Sequence, residues 1–207
     1  MPSGRMDPSL YIGPFGTIEL MNSTTLYKPG ELGSQIQLGG KSYQLIQLDS
    51  GATASTAGAP VTGSLAFWKS RANYIVTTDK IQAEGATQNT ATVISNVIAS
   101  AVNSVAGVFC QTATGANVAG TASLTAGSYG VIQQRGPHVG VLTSSGAAVN
   151  GDLLIALTTG APPGALRVAS GTALVSMPVG RATAATSAVT TNYTPANLGG
   201  WDLVDIP

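Results

Sequence analysis

The stretch QIQLGGKSYQLIQL, residues 35–48, indicates the fold class of this chain. Its first four residues alternate polar and apolar side chains, and residues 41–48 resume as a second strand-forming run. Alternation with a period of two is typical of a half-buried β-strand. The intervening Gly39-Gly40 suits a primed turn, which requires positive φ. The stretch therefore predicts a β-hairpin.

Short apolar runs bounded by turn residues recur through most of the chain, and strong helix formers are few. Residues 65–68 and 74–77 form the next predicted strand pair, with a turn at 69–73. Eight more strands are expected after residue 104, at 105–111, 129–134, 139–142, 153–157, 165–169, 174–177, 179–183 and 201–206. This pattern predicts an all-β protein, a compact β-barrel or β-sandwich.

Three stretches do not read as regular strands. Residues 49–63 and 183–198 are rich in Gly, Ala, Ser and Thr and are predicted as loops. Residues 88–106 are ambiguous, because their apolar residues fit one helical face while their β-branched, Ser and Asn content disfavours a helix. Helix and strand both remain open for that stretch.

Residues 1–35 differ in composition, because prolines and glycines interrupt the run repeatedly. Proline fixes φ and lacks a ladder donor, which disfavours a central strand or a helix. We expect an extended N-terminal arm, whose alternative is a loop-rich cover on its own domain. Its apolar residues are the predicted partner-binding residues: Leu10, Tyr11, Ile12, Phe15, Ile18, Leu20, Leu26 and Tyr27.

The remaining residues, 36–207, are expected to form one β-rich domain. An alternative division places two β subdomains at 36–84 and 104–207, joined by residues 85–103.

Charge is scarce in this chain. Charged residues make up 9% of it, against about 25% in an ordinary soluble domain, and residues 85–134 contain none. The formal net charge is zero and no basic cluster exists, which argues against nucleic-acid binding. No apolar run is long enough to span a membrane. We expect much of the surface to be hidden against copies of the chain or a larger body.

Residues that could carry chemistry are isolated in the sequence. Cys110 is the single cysteine and is predicted to be a small buried side chain, while His138 is the single histidine and is placed at the start of a strand. The Gly39-Gly40-Lys41-Ser42 segment lacks the earlier glycine and the strand-to-helix context of a phosphate-binding loop. Asp152, after Asn150-Gly151, is read as a turn residue that caps a strand. We expect no catalytic residue, no metal and no cofactor.

Five short segments resemble head proteins of tailed bacteriophages, in particular the decoration or cement proteins that coat capsids. These segments are GKSYQL at 40–45, ANYIVTTD at 72–79, NSVAGV at 103–108, GSYGVIQQ at 127–134 and NGDL at 150–153. The resemblance spans roughly residues 38–206 and implies a β-rich protein bound to a capsid lattice, without cofactor or catalytic residues.

The expected function is therefore that of a virion structural protein. It would decorate or cement the capsid shell as a homo-oligomer, with a trimer favoured, and its partner would be the major capsid protein. Its location would be the capsid surface after synthesis in the host cytoplasm, with no signal peptide, membrane or nucleic-acid contact. The alternatives are a phage tail or fibre component and, less favoured, a hydrolase on a β scaffold.

Overall fold

The computed structural model describes residues 32–50, 63–78, 83, 105–110, 126–127, 129–144, 147–156, 166–169, 178–187 and 191–199. The eight predicted partner-binding residues, from Leu10 to Tyr27, lie outside these ranges, as do residues 88–104 and the predicted strands at 174–177 and 201–206. All regular secondary structure in the described residues is β-strand. The predicted all-β class is therefore confirmed.

Ten strands form one hydrogen-bonded sheet system in the described residues. In chain order they are β1 (Gln35–Leu38), β2 (Lys41–Leu48), β3 (Leu65–Ser70), β4 (Ile75–Thr77), β5 (Val105–Phe109), β6 (Tyr129–Ser144), β7 (Leu153–Ala156), β8 (Leu166–Val168), β9 (Pro178–Ala182) and β10 (Thr191–Leu198).

The predicted hairpin is confirmed. β1 pairs antiparallel with β2, and Gly39 and Gly40 in the turn have φ of 56° and 76°. The second predicted pair is confirmed as β3 and β4, whose turn brings the Tyr74 side chain edge-on to Trp68 at a centroid distance of 6.4 Å. Tyr74 itself has a φ of 55°, and its side chain fills the space above the backbone of Gly33.

Five strands close the N-terminal ring, a β-barrel. Its order is β2-β4-β3-β5-β6, and the pairing of β2 with the first half of β6 closes it. All neighbours are antiparallel except β2 and β4, which run parallel. The hairpin strand β1 is an addition to this barrel, beside β2.

A C-terminal ring follows with the order β6-β10-β9-β7-β8, and β8 returns to β6 through the pair Thr143 and Leu166. Here too one pair of neighbours is parallel, β6 with β8, and the others are antiparallel. The second half of β6 thus begins this ring, whereas the first half of the same strand completes the N-terminal one.

The two rings repeat one strand order. In each, the first strand pairs with the third in parallel and with the fifth antiparallel, and the second and fourth strands pair between them. The register also agrees where the second strand pairs with the fourth. Leu65 opposite Val108 corresponds to Leu153 opposite Arg181, and a bulge follows one residue later in both rings. The fold is therefore an internal duplication in which one strand belongs to both copies.

Two glycine pairs keep the same role in both copies. Gly63 and Gly151, two residues before the second strand begins, have φ of 93° and 94°, and each donates its N–H to the carbonyl of the last residue of the fourth strand. Gly107 and Gly180 leave no room for a Cβ against the carbonyl of the fifth strand, at Gln133 and Asn197. Close backbone approach explains why glycine recurs there.

Each ring has its own apolar core, with side chains of different size at equivalent positions. The N-terminal core consists of Ile46, Leu48, Ala66, Trp68, Val76, Ala106, Phe109 and Ile132. The C-terminal core includes Val141, Leu154, Ala156, Leu166, Val179, Ala182, Ala196 and Leu198. Trp68 corresponds to Ala156, and Ala66 corresponds to Leu154. The large side chain therefore stands at different positions in the two rings.

Two predictions about strands were wrong. The strands predicted at 129–134 and 139–142 are one 16-residue strand, β6. The loop predicted at 183–198 contains β10, in which Pro195 falls at the register shift between Thr194 and Ala196. A proline is tolerated at such a bulge because no ladder hydrogen bond is required of it. The boundary between the two rings lies inside β6.

Candidate functional site at the junction of the two rings

Several buried polar side chains lie where β6 passes from one ring to the other: Ser42, Gln44, Gln133 and His138. Gly136, with a φ of 88°, turns the strand there, and its Cα faces the backbone of Gly40 and Lys41 so closely that a Cβ would clash. Buried Gln133 holds this turn through its side-chain amide. Its Nε2 lies 3.0 Å from the carbonyl oxygen of Arg135 and 3.1 Å from those of Gly136 and Pro137.

A pair of glutamines, Gln134 and Gln44, closes the N-terminal barrel beside this turn. Gln134 Nε2 donates to Gln44 Oε1 at 2.8 Å, and Gln44 Nε2 donates to the carbonyl of Gly33 at 3.0 Å. Amide groups satisfy each other here without any charge, so the barrel end is closed by neutral hydrogen bonds.

His138 occupies the place in the C-terminal ring that Gln44 occupies in the N-terminal barrel, because both are opposite equivalent residues of the fifth strand. His138 was predicted to lie at the start of a strand, and this was wrong, because it lies in the middle of β6. Its Nδ1 accepts the N–H of Gly140 at 3.2 Å. Burial lowers the pKa of His138 to about 4, and the charge of Lys41 lowers it further, against an opposing hydrogen bond to the backbone at Phe109. The imidazole is therefore neutral at pH 7.

Cys110 follows β5 and is buried, which confirms its predicted place as a small interior side chain. Burial raises the pKa of its thiol, and the charge of Lys41 opposes that rise only in part. Burial likewise raises the pKa of the neighbouring Tyr43 phenol, and Cys110 adds to the effect. A protonated thiol is a poor nucleophile. Cys110 therefore packs in the interior with a raised pKa, whereas a cysteine nucleophile requires a lowered one.

A hydroxyl chain fills the opposite end of the C-terminal ring. Thr143 and Thr194 share a hydrogen bond of 3.0 Å between their Oγ1 atoms, and Thr186 continues the chain at 3.3 Å. The predicted capping role of Asp152 is also confirmed, since its Oδ2 accepts the N–H of Val149 at 2.8 Å across the turn.

Charged contacts within the described residues are few. Lys69 Nζ lies 2.7 Å from Asp49 Oδ2, and the carboxylate is the more buried partner. No group of three His, Cys, Asp or Glu side chains in the described ranges could hold a metal ion. Within the same residues no helix is long and apolar enough to cross a membrane.

Sequence reasoning singled out His138 and Cys110, and the structure brings both to the junction together with Tyr43 and Lys41. It missed Gln133 and Gln134. The signal available for them was a Gln-Gln pair directly after the apolar residues Val131 and Ile132, separated from Gly136 by Arg135 alone. The predicted arm residues fall outside the described ranges, and their role stays a prediction. No protein-family model and no curated protein matches this chain.

Proposed function

We propose that this protein is a structural component of a tailed-bacteriophage virion, which binds the outer capsid surface and cements contacts between capsid subunits. One observation carries the proposal. The five segments that resemble phage decoration proteins fall in or beside β2, β4, β5, β6 and the turn before β7, the elements that close one ring and begin the next. The resemblance therefore follows the framework of the duplicated fold.

Two physical features support this role. The junction is held by neutral hydrogen bonds and close backbone contacts, so the two rings form one body that does not depend on ionic strength for its shape. The exposed middle of β6 presents Pro137 and Val139, and Val139 is 46% exposed. Arg135 is exposed on the same face, so a single charge flanks these two apolar side chains. A surface with so few charges suits many weak contacts across a lattice, where linked sites add avidity.

The test mixes the purified full chain with undecorated capsids at low and high salt, followed by pelleting and electron microscopy. The proposal expects ordered density at regular lattice positions that persists at high salt, and an oligomer, with a trimer favoured, in sedimentation. Rings, tubes or spikes formed without capsids would favour a tail or fibre component instead. A protein that stays monomeric and ignores capsids at both salt concentrations would refute the proposal.

A matched pair of variants would locate the contact. Val139→Lys places a charge on the exposed middle of β6, and Val149→Lys places the same charge on the turn before β7, where Val149 is 56% exposed. Burying an unpaired ammonium group is costly, so the variant at the contact should release capsids while the other does not. Tight binding by both variants would exclude these two surfaces as the contact.

A further inference from the structure

One outer face of the N-terminal barrel is covered by the next ring. Leu65, Phe67 and Val108 point away from their own barrel and join the C-terminal core, where Leu65 and Val108 are 0% exposed. The second half of β6 lies along the edge of this face, because Leu142 donates its N–H to the carbonyl of Gly63 at 2.8 Å.

The duplication creates a counterpart of this face on the C-terminal ring. By register its residues are Leu153, Ile155, Arg167 and Arg181, which correspond to Leu65, Phe67, Thr77 and Val108. We call it the terminal face. Leu153 and Ile155 are apolar like their counterparts in the N-terminal barrel, whereas Arg167 and Arg181 stand where that barrel has Thr77 and Val108.

Two observations, at Ile155 and at Arg167, indicate that the terminal face has an occupant. Ile155 is 1% exposed, yet it belongs to neither apolar core. Arg167 Nε is buried and has no hydrogen-bond partner in the described part of the chain. Arg181, in contrast, is exposed, and its Nη1 donates to the carbonyl of Gly151 at 3.1 Å, so the counterpart of the Gly63 carbonyl already has a donor and the other N–H groups of Arg181 remain for an acceptor. A buried donor without an acceptor costs about 1–3 kcal/mol, so an acceptor is expected at Arg167 Nε.

The same register identifies a segment of this chain that suits the face. Gln134 corresponds to Leu198, so the residues that follow β10 continue as the counterparts of the second half of β6. Pro137 corresponds to Trp201, His138 to Asp202 and Leu142 to Ile206. The segment reads WDLVDI at 201–206, with four apolar side chains and two carboxylates.

We propose that residues 201–206 bind the terminal face of their own chain as a strand, and that their two carboxylates accept hydrogen bonds from Arg167 and Arg181. In this proposal Asp202 pairs with Arg181, because its counterpart His138 is hydrogen-bonded to the backbone at Phe109, next to the counterpart of Arg181. Guanidinium and carboxylate pair with matching geometry, and direct continuation from β10 gives the segment a high effective concentration. The proposal goes beyond the virion role and does not depend on it.

The experiment uses the full chain with both tryptophans replaced by 5-fluorotryptophan. Fluorine NMR then gives one resonance for Trp68 and one for Trp201, assigned with a Trp201→Phe variant. The solvent isotope shift between H2O and D2O reports whether each indole is exposed. The proposal expects Trp201 to be protected. Arg181→Glu should abolish this protection by setting a carboxylate against Asp202, and the added change Asp202→Arg should restore it.

The control Arg71→Glu makes the same charge change in the exposed turn between β3 and β4 and should leave the Trp201 resonance unchanged. A fully exposed Trp201 in the unaltered protein would overturn the proposal, as would a Trp201 resonance insensitive to Arg181→Glu. Protection that disappears on dilution would assign the segment to a second copy and refute binding within one chain. The Trp68 resonance shows in each variant whether the N-terminal barrel is folded.

Discussion

The Gln133 side chain should contribute more to stability than any single exposed hydrogen bond, because its amide serves three carbonyl groups at the turn of β6. Gln133→Met keeps the length of the side chain and removes the donor. The amide has two N–H protons, so about two good hydrogen bonds are lost at a residue that is 3% exposed. Each buried carbonyl left without a donor costs about 1–3 kcal/mol. Solvent reaches Arg135 and Pro137, which reduces the penalty, so we expect a loss of about 2–4 kcal/mol.

Urea denaturation monitored by tryptophan fluorescence measures this loss. For a chain of this length it corresponds to a decrease in melting temperature of roughly 5–15 °C. The matched control is Gln47→Met, since Gln47 is half-buried and donates one hydrogen bond of 3.0 Å to the carbonyl of Gly127. We expect about 1 kcal/mol there. If the two variants lose equal stability, the Gln133 amide does not hold the junction, and the reasoning fails.

Three further outcomes follow from the structure. Because the pKa of His138 falls from 6.5 to about 4 on folding, its neutral form is favoured, and stability should decrease by about 3 kcal/mol as pH falls from 7 to 4; His138→Gln should flatten this part of the stability curve, and an unchanged curve would contradict the assignment. Gly151→Ala should cost about 1 kcal/mol for its positive φ alone, since its Cβ would meet open space. Gly63→Ala should cost clearly more in the same denaturation assay, because its Cβ would lie 2.4 Å from the Gly140 carbonyl oxygen; equal losses would argue against the close approach. Cys110 should resist alkylation in the native protein and react once urea unfolds it, as mass spectrometry would show, and rapid native labelling would contradict its burial.

Local features of the fold could be predicted from the sequence, and long-range ones could not. Gly39-Gly40 and the turn at 69–73 are encoded within a few residues, which is why the hairpin and the β3–β4 pair were found. The Gly136-Pro137 step resembles a break between strands. It is continuous in the structure because Gln133 satisfies the carbonyls of the turn, an interaction that no periodicity reveals.

The duplication was also hidden from sequence reasoning. Equivalent core positions carry residues as different as Trp68 and Ala156, or Phe109 and Ala182, because each core is filled by a different distribution of bulk. What the copies share is glycine at one place of positive φ and at one place of close backbone approach, and such a signal is lost among 26 glycines. The junction site could be anticipated in part, since His138 and Cys110 stood out as single residues of their kind, but their proximity depends on strand pairing between distant segments.

The shared strand also sets an order of events when the chain folds. β6 can be aligned in the N-terminal barrel as soon as residue 135 is available, since its partners β2 and β5 precede it. From then on its second half is already extended and oriented, so the C-terminal ring starts from a fixed template and not from a free coil. A chain synthesised slowly on the ribosome would fold its two rings one after the other. A destabilising mutation in the N-terminal barrel would delay both rings, whereas one in β9 would leave the N-terminal barrel able to form.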